Sequence, residues 1–419
     1  MTNPEPLGTT PFTERKRLGV LSVAPRIMLA TDAGPVGPRT QLLSLINGFE
    51  AQGSTVRTYF AGDKLPKNVG RRAAVVDRVG WFGGLAIDVA RLGMVQWHRR
   101  KVLEELDGQV DWVYEHFNTL GSIGNVFQQR GIPWIVDTDA LQYREAKARK
   151  MLTLTRLARR IERSVYHRCD ALVCISDALK DAIVADLGVP AEKIIVRPNG
   201  VDAQQFDPAR YEPIRYHDEF TVGFVGSLYA WQGIDLLLHA MNQLRDKDIH
   251  VRATIIGDGP ARVSFEQLSH TLGLEQLVTF TGRMDWSEIP ALIGGFDIAY
   301  SGHVPSDDGP VYMSPMKVYE YMAMATPVVA SRNADTLVLL ADLSEDLLFE
   351  TSNSDDLERA LRAAYQRRSS LNGLGKSLRT RVVENHSWTA RIAAMTARID
   401  ELIEERSKGS IVGEMLQSH

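Results

Sequence analysis

Several local patterns in this 419-residue chain combine residue types that can handle an anion or a proton. His116, in Tyr114-Glu115-His116-Phe117, stands just past the expected carboxyl end of a strand, where a side chain projects from a sheet edge. Taken alone it is either a structural hydrogen-bonder or a catalytic group. Ser314-Pro315-Met316-Lys317-Val318-Tyr319-Glu320 reads as a helix start, with Ser314 as N-cap, Pro315 at the first helical position and Lys317 in the first turn. A cation there opposes the helix dipole unless an anion is bound, while Glu320 lies one turn on and could simply pair with Lys317 at i,i+3. The run Gly226-Ser227-Leu228-Tyr229-Ala230-Trp231-Gln232-Gly233 is a strand-to-helix turn whose amides would suit phosphate. It lacks the Gly-Lys-Ser/Thr of a P-loop, which excludes that class of NTPase. Gly257-Asp258-Gly259-Pro260 follows another strand and has the composition of a tight turn.

The first loop, 31–39, carries Gly34, Gly37 and Arg39 between a strand and a helix. Glycines there let the backbone approach an anion at a helix start, but the third glycine of a dinucleotide fingerprint is missing. Asp137 and Asp139 form a DxD after a strand. No nearby His or Cys completes a ligand set, so no metal is expected. No Ser-His-Asp order and no reactive cysteine pair is found.

These residues need a scaffold, and the elements repeat one rhythm. Short runs apolar on both faces, at 19–24 with 27–30, 55–59, 112–114, 134–136, 171–175 and 194–196, alternate with helical patterns such as 40–52 and 153–166. A Pro- and Asp-rich stretch, 199–220, interrupts the series and reads as a linker. Strands then resume at 221–225, 252–256, 277–281, 298–300 and 328–330, separated by helices at 234–246, 262–272, 287–294, 316–324 and 355–366. A βαβα order predicts an α/β chain of two doubly wound parallel sheets. The expected domains are 1–200 and 201–387, with a helix at about 388–407 (pattern 389–405) packing back on the first and a loose tail at 408–419. In such folds ligands bind at the carboxyl ends of the strands, here in a crevice between the two domains.

Composition narrows the partners. Hydrophobic residues are 44% and charged residues 24%, with 48 Lys+Arg against 52 Asp+Glu for a net charge of −4, which argues against a nucleic-acid binder. Two cysteines, Cys169 and Cys174, fit a reducing compartment. The N-terminal MTNPEPLGTTPFTERKR has no apolar segment of a secretory signal, and the charge-free 79–87 is too short to span a membrane, so a cytoplasmic location is expected. Between Arg144 and Arg168 nine Lys/Arg face only Glu145 and Glu162; the stretch is either a solvated helix face or a peripheral contact with an anionic membrane or a phosphorylated acceptor.

The ordered set Asp170-Ala-Leu-Val-Cys-Ile-Ser-Asp, Leu187-Gly-Val-Pro-Ala-Glu-Lys-Ile, Arg197-Pro-Asn-Gly-Val-Asp, Gly223-Phe-Val-Gly-Ser, Ile256-Gly-Asp-Gly-Pro, Phe280-Thr-Gly and 314–331 resembles the family 4 retaining glycosyltransferases over roughly residues 110 to 400. The resemblance implies the GT-B fold, two facing Rossmann-like domains with the sugar-nucleotide donor held mainly by the second. It implies retained anomeric configuration, no metal or other cofactor, and a UDP-sugar as the first donor to expect. His116 matches the histidine that contacts the transferred sugar, and Glu320 the second glutamate of the E-x7-E motif, which holds ribose hydroxyls. Tyr312 stands where the first glutamate would be, and Ser314, Pro315, Met316 and Lys317 resemble a variant in which loop amides and Lys317 face the diphosphate. Lys317 joins His116 as a catalytic group. Gly282, Arg283 and Met284 align with the segment that reads the base. Gly34, Gly37, Gly226 and Gly257 fall on glycine turns around the donor, and Arg39, Asp137, Asp139 and Arg144 are assigned to the acceptor side.

One departure stands out: the Arg and Lys that family members carry at the ends of the 226–233 turn are here Ser227 and Gln232. Either Lys317 and helix termini replace those cations or the donor or reaction differs. The expected activity is sugar transfer to a hydroxyl of a small-molecule or lipid-linked acceptor. The alternatives are a pseudo-glycosyltransferase coupling on the same scaffold and a non-catalytic sugar-nucleotide-binding subunit.

Overall fold

A computed structural model describes residues 17–25, 27–29, 36–64, 81–304 and 316–417, without the side chains of 36–38, 81 and 406–417. In chain order the elements are β1 (Arg17–Ser22), α1 (Val36–Ala51), β2 (Thr55–Phe60), α2 (Trp81–Leu106), β3 (Trp112–His116), α3 (Asn125–Gln128), β4 (Trp134–Thr138), α4 (Gln142–Ala148), α5 (Thr155–Arg168), β5 (Ala171–Cys174), α6 (Asp177–Leu187) and β6 (Ile194–Val196). They continue with β7 (Thr221–Val225), α7 (Ile234–Arg245), β8 (Arg252–Ile256), α8 (Arg262–Thr271), β9 (Val278–Gly282), α9 (Ile289–Gly294), β10 (Ile298–Ser301), α10 (Met316–Ala323), β11 (Val328–Ser331), α11 (Ala334–Ser344), β12 (Leu348–Phe349), α12 (Ser354–Gln366), α13 (Leu371–His386) and α14 (Trp388–Gln417).

The chain divides into two units, Met1–Pro198 with Trp388–His419, and Asn199–Ser387. Unit 1 holds a six-stranded sheet of order β2-β1-β3-β4-β5-β6, and unit 2 one of order β12-β11-β10-β7-β8-β9, with every pairing parallel. Parallel strands need crossover helices on both faces, which is why β3 and β4 are buried along their whole length. In unit 1, Leu18, Val20, Trp112, Tyr114 and Ile135 point to the layer made by α1 and α14, where Leu42, Leu45 and Phe49 meet Ile392, Met395 and Ile399. Phe49 packs edge-on to Trp112 with ring centroids 5.4 Å apart.

Each sheet reverses its winding order once, between β1 and β3 in unit 1 and between β7 and β10 in unit 2. Loops leaving adjacent strands at such a point run in opposite directions and open a crevice at the carboxyl edge. His116 lies at that edge of the unit 1 sheet, and the 226–233 turn follows β7 at that edge of the unit 2 sheet.

Several expectations are corrected. Residues 27–29 form no strand; Pro25 precedes them, Ile27 N closes a turn on Ala24 O at 3.2 Å, and Ile27 is apolar because it is buried. The 79–87 stretch belongs in part to α2, a 26-residue helix that its glycines and lack of charge concealed. The stretch 199–220 is no free linker, since Val201 and Phe206 are buried in the core of unit 2 and Arg379 binds Phe206 O and Asp207. Val201 N also donates to His386 O at 3.1 Å, so unit 2 begins and ends side by side. The basic run is two helices, α4 and α5, rather than one, broken at Lys150 with φ of 55°. Helix α14 runs to Gln417, where a loose tail was expected from residue 408.

Candidate active site

In unit 2 the loops after β7 and β8 are zipped together. Gly226 N donates to Ile256 O at 3.0 Å and Leu228 N to Asp258 O at 3.1 Å. Gly257 has φ of +134°, and a Cβ there would meet Gly226 O at 1.9 Å, so only glycine allows this approach. Gly233 is left-handed at φ +66°, against Gly302 O, and its own carbonyl accepts from the Tyr300 hydroxyl at 2.5 Å. Between them Tyr229, Trp231 and His303 stack in a column, with centroids 5.9 and 5.5 Å apart. The turn is thereby held from several sides, and α7 starts directly after it.

Helix α10 brings one cation to that turn. Lys317 Nζ donates to Gln232 Oε1 and lies 4.3 Å from the centre of the Phe224 ring. A Cβ on Gly226 would stand 3.4 Å from it. The helix is pinned by Tyr321, whose hydroxyl accepts from Val225 N at 2.9 Å. Burial lowers Lys317 to about 7 against the opposing pull of Glu320, and burial raises Glu320 to about 7 against Lys317. The two do not form the i,i+3 ion pair that their spacing allows: among the described residues the Glu320 carboxylate has no hydrogen-bond or ion-pair partner within reach. The site thus offers an ammonium over a glycine turn and, one helical turn on, an open carboxylate, the groups needed by a diphosphate and by vicinal hydroxyls. Gly282 ends β9 and Arg283 and Met284 follow it, with Gly282 O accepting from Gly257 N at 2.8 Å and Arg283 exposed. This ties the segment to the same turn cluster.

In unit 1 the register pairs His116 with Asp137 across β3 and β4. His116 Nδ1 lies 3.3 Å from Asp137 Oδ2, and Arg197 Nη2 donates to Asp137 Oδ1 at 3.3 Å. The Arg197 guanidinium, buried at the end of β6, lies 5.3 Å from the centre of the Trp388 ring, the first residue of α14. Burial alone would raise Asp137, but Arg197 and His116 outweigh it and hold the carboxyl below its usual range. Burial would lower His116, yet Asp137 and Asp139 outweigh it and raise it. The imidazole is therefore oriented through Nδ1, while its Nε2 makes no hydrogen bond among the described residues. Glu115, on the opposite face of β3, accepts from Ser122 Oγ, Ile123 N, Gly124 N and Trp134 Nε1 at 2.7 to 2.9 Å and fixes the loop that follows His116.

The remaining assignments divide. Asp139 accepts from Gln142 Nε2 at 2.7 Å at the start of α4, and Arg144 is drawn to Asp186 at 3.2 Å, so neither joins the His116 network directly. Gly37 and Arg39 lie inside the first turn of α1 rather than in a loop, because Pro38 is tolerated at a helix start. Gly34, Ser314 and Pro315 lie outside the described residues. Ser227 is exposed and supplies no charge, and Gln232 acts through Lys317.

The chain matches the profile of glycosyl transferases group 1 over residues 219–367 and that of the glycosyl transferase 4-like domain over residues 36–200. It belongs to the group 1 glycosyltransferases. Among curated members of this group it is similar to MMP alpha-(1->4)-mannosyltransferase of Mycolicibacterium hassiacum, 28% identical over 246 residues, which is 58% of this chain and 56% of that one. The chain spans from 46% to 62% of the length of the first curated relatives it matches. Solved structures of similar fold include sucrose-phosphate synthase from Thermosynechococcus elongatus, at a TM-score of 0.65 and 17% identity over 93% of this chain and 100% of that one. Another is Alr3699/HepE of Anabaena in complex with UDP, at 0.60 and 16% over 94% and 100%. The fold is GT-B, and the family 4 label fits. Within this group 1 glycosyltransferase, sequence reasoning missed the roles of Arg197 and Glu115. Arg197 stands inside the quoted Arg-Pro-Asn-Gly-Val-Asp run and Glu115 beside His116, but the partner of Arg197 is on β4, and those of Glu115 are in the loop 122–124 and on β4.

Proposed function

We propose that this chain is a retaining glycosyltransferase that moves a sugar from a nucleoside-diphosphate sugar, first of all a UDP-sugar, to a hydroxyl of a small-molecule or lipid-linked acceptor, without a bound metal. The observation that carries the reading is Lys317, delivered by α10 to the 226–233 turn and held there by Gln232. It supplies positive charge at the position where Ser227 and Gln232 have removed the two cations common in the family, which weakens the case for a different reaction. UDP is chosen by analogy with HepE, whose crystals contain UDP or UDP-glucose.

The chemistry follows from the residues in named roles. Glu320 accepts the ribose hydroxyls, the 226–233 amides and Lys317 hold the diphosphate, and the backbone after β9 reads the base. As the bond from the anomeric carbon to the phosphate oxygen breaks, negative charge grows on the diphosphate, and preorganised donors there lower the barrier. The acceptor hydroxyl attacks from the face the diphosphate leaves, and a phosphate oxygen takes its proton, so configuration is retained. His116, oriented by Asp137, contacts the transferred sugar through Nε2. The metal-free part of the proposal rests on Asp137, whose two oxygens already serve His116 and Arg197; a divalent ion would have to displace a buried guanidinium.

Thermal-shift measurements against UDP-, GDP-, ADP- and dTDP-sugars, followed by NMR of the product anomer, test this directly. The expected outcome is stabilisation by one nucleotide class and an anomer of unchanged configuration. His116→Ala should lower turnover by about a hundredfold or more while leaving nucleotide affinity within a few-fold. Unchanged turnover in that variant, or an inverted product, removes the proposed mechanism.

A further inference from the structure

Among the described residues of unit 1, the exposed large apolar side chains all lie on two neighbouring helices, α2 and α5. Phe82 is 81% exposed, Val89 56%, Trp97 49% and Leu157 37%. Spacings of seven and eight residues put Phe82, Val89 and Trp97 on one stripe of α2, and the exposed positions between them include Ala86, Ala90 and Gly93. The charges in this part of the helix are turned to other work. Buried Asp88 accepts from Thr153 N and Leu154 N at 2.8 and 2.9 Å, and Arg91 donates to Asp88 and to Met151 O.

Beside that stripe, α5 shows a face of one sign. Arg156, Arg160, Arg163 and Arg168 are exposed and form no ion pair among the described residues, while Glu162 is buried and caps α4 through Gln142 N and Tyr143 N. A groove of about 390 Å³ runs between the helices, with Leu92, Val95 and Ile161 among its apolar lining and Arg99, Arg160 and Arg168 around it. No carboxylate lines it. Arg99 is held in place by Ser122 O at 3.0 Å.

We propose that the α2–α5 face of unit 1 docks on a bilayer surface rich in anionic lipid. The Phe82–Val89–Trp97 stripe enters the boundary between headgroups and acyl chains, the α5 arginines neutralise lipid phosphates, and the groove seats one headgroup. An uncharged stripe flanked by unpaired arginines is the pattern of an interfacial helix pair rather than a spanning one, and no described helix is long and apolar enough to cross a membrane. A second copy fits this face poorly, since a two-fold contact would set arginine against arginine. A soluble phosphate ester would use the groove and leave the stripe outside it unexplained.

Co-sedimentation of the full chain with vesicles of mixed phosphatidylglycerol and phosphatidylcholine, against pure phosphatidylcholine, reads the proposal without any turnover. The chain should pellet with the anionic vesicles, stay in solution with the neutral ones, and be released by high salt. Arg160→Ser with Arg163→Ser should weaken partitioning about tenfold or more. Trp97→Ser should weaken it with all charges kept, and both variants should retain the wild-type melting temperature. Wild-type protein that ignores anionic vesicles, equal binding to neutral ones, or variants that pellet like wild type would each overturn it. So would a dimer abolished by Trp97→Ser, which assigns the face to a second copy. Thermal stabilisation by glycerol 3-phosphate without vesicle binding would instead assign the groove to a soluble anion.

Discussion

Under the proposed function Lys317 does alone, from a helix, what the resemblance assigns to two cations of a loop, and on that reading its protonation governs donor binding. Burial lowers it to about 7, so below that pH the free protein already carries the ammonium that the diphosphate needs. As pH rises through that value the ammonium is lost, and binding an anion must recover a proton. Affinity for the nucleoside diphosphate should then fall with rising pH, by at most about tenfold per unit. Glu320 titrates in the same range, so Glu320→Gln separates the two contributions. Calorimetric titrations across pH 6 to 9 (a range of roughly three units around that value) should show the slope in wild type and in Glu320→Gln. Lys317→Met should bind about 10- to 100-fold more weakly at low pH and lose the slope. A slope that survives in Lys317→Met would assign the proton to another group.

At the scale of elements, unit 1 depends on a helix far away in sequence. Helix α14 covers α1 with Ile392, Met395 and Ile399, all almost fully buried. Ile392→Ala leaves a cavity in that layer and should cost about 2–5 kcal/mol of stability, measured by denaturant unfolding; a loss below about 1 kcal/mol would mean the layer is not the core of unit 1. The strands were legible because a parallel strand buried on both faces leaves a short apolar run, as in Trp112–Tyr114 and Trp134–Val136. Helix α2 was not, since the exposed positions of its first half, among them Phe82, Ala86, Val89, Ala90 and Gly93, are themselves apolar and the usual polar contrast is missing there. The two-residue β12 is too short to carry any period. His116, Lys317 and Glu320 stood out in the sequence by residue type and spacing, and their expected roles came from the resemblance. The Arg197–Asp137 bond joins residues 60 apart, and only the order of β4, β5 and β6 brings them together.

For the whole molecule, two units with separate cores predict separable unfolding. Unit 1 is built on the Leu18–Trp112–Ile392 cluster, and unit 2 on two clusters around Phe224 and Tyr319. Because a ligand stabilises the part whose native state it binds, UDP should move the calorimetric transition of unit 2 and leave that of unit 1 nearly fixed. If UDP moved only the transition weakened by Ile392→Ala, the donor assignment would be wrong.

Unit 2 is one uninterrupted stretch, Asn199–Ser387, whereas unit 1 is completed by a segment that follows it. On the ribosome the part of α1 that α14 covers therefore stays bare until unit 2 has been translated in full and α14 emerges behind it. Unit 2 can reach its final structure during synthesis, while unit 1, although started first, must finish last.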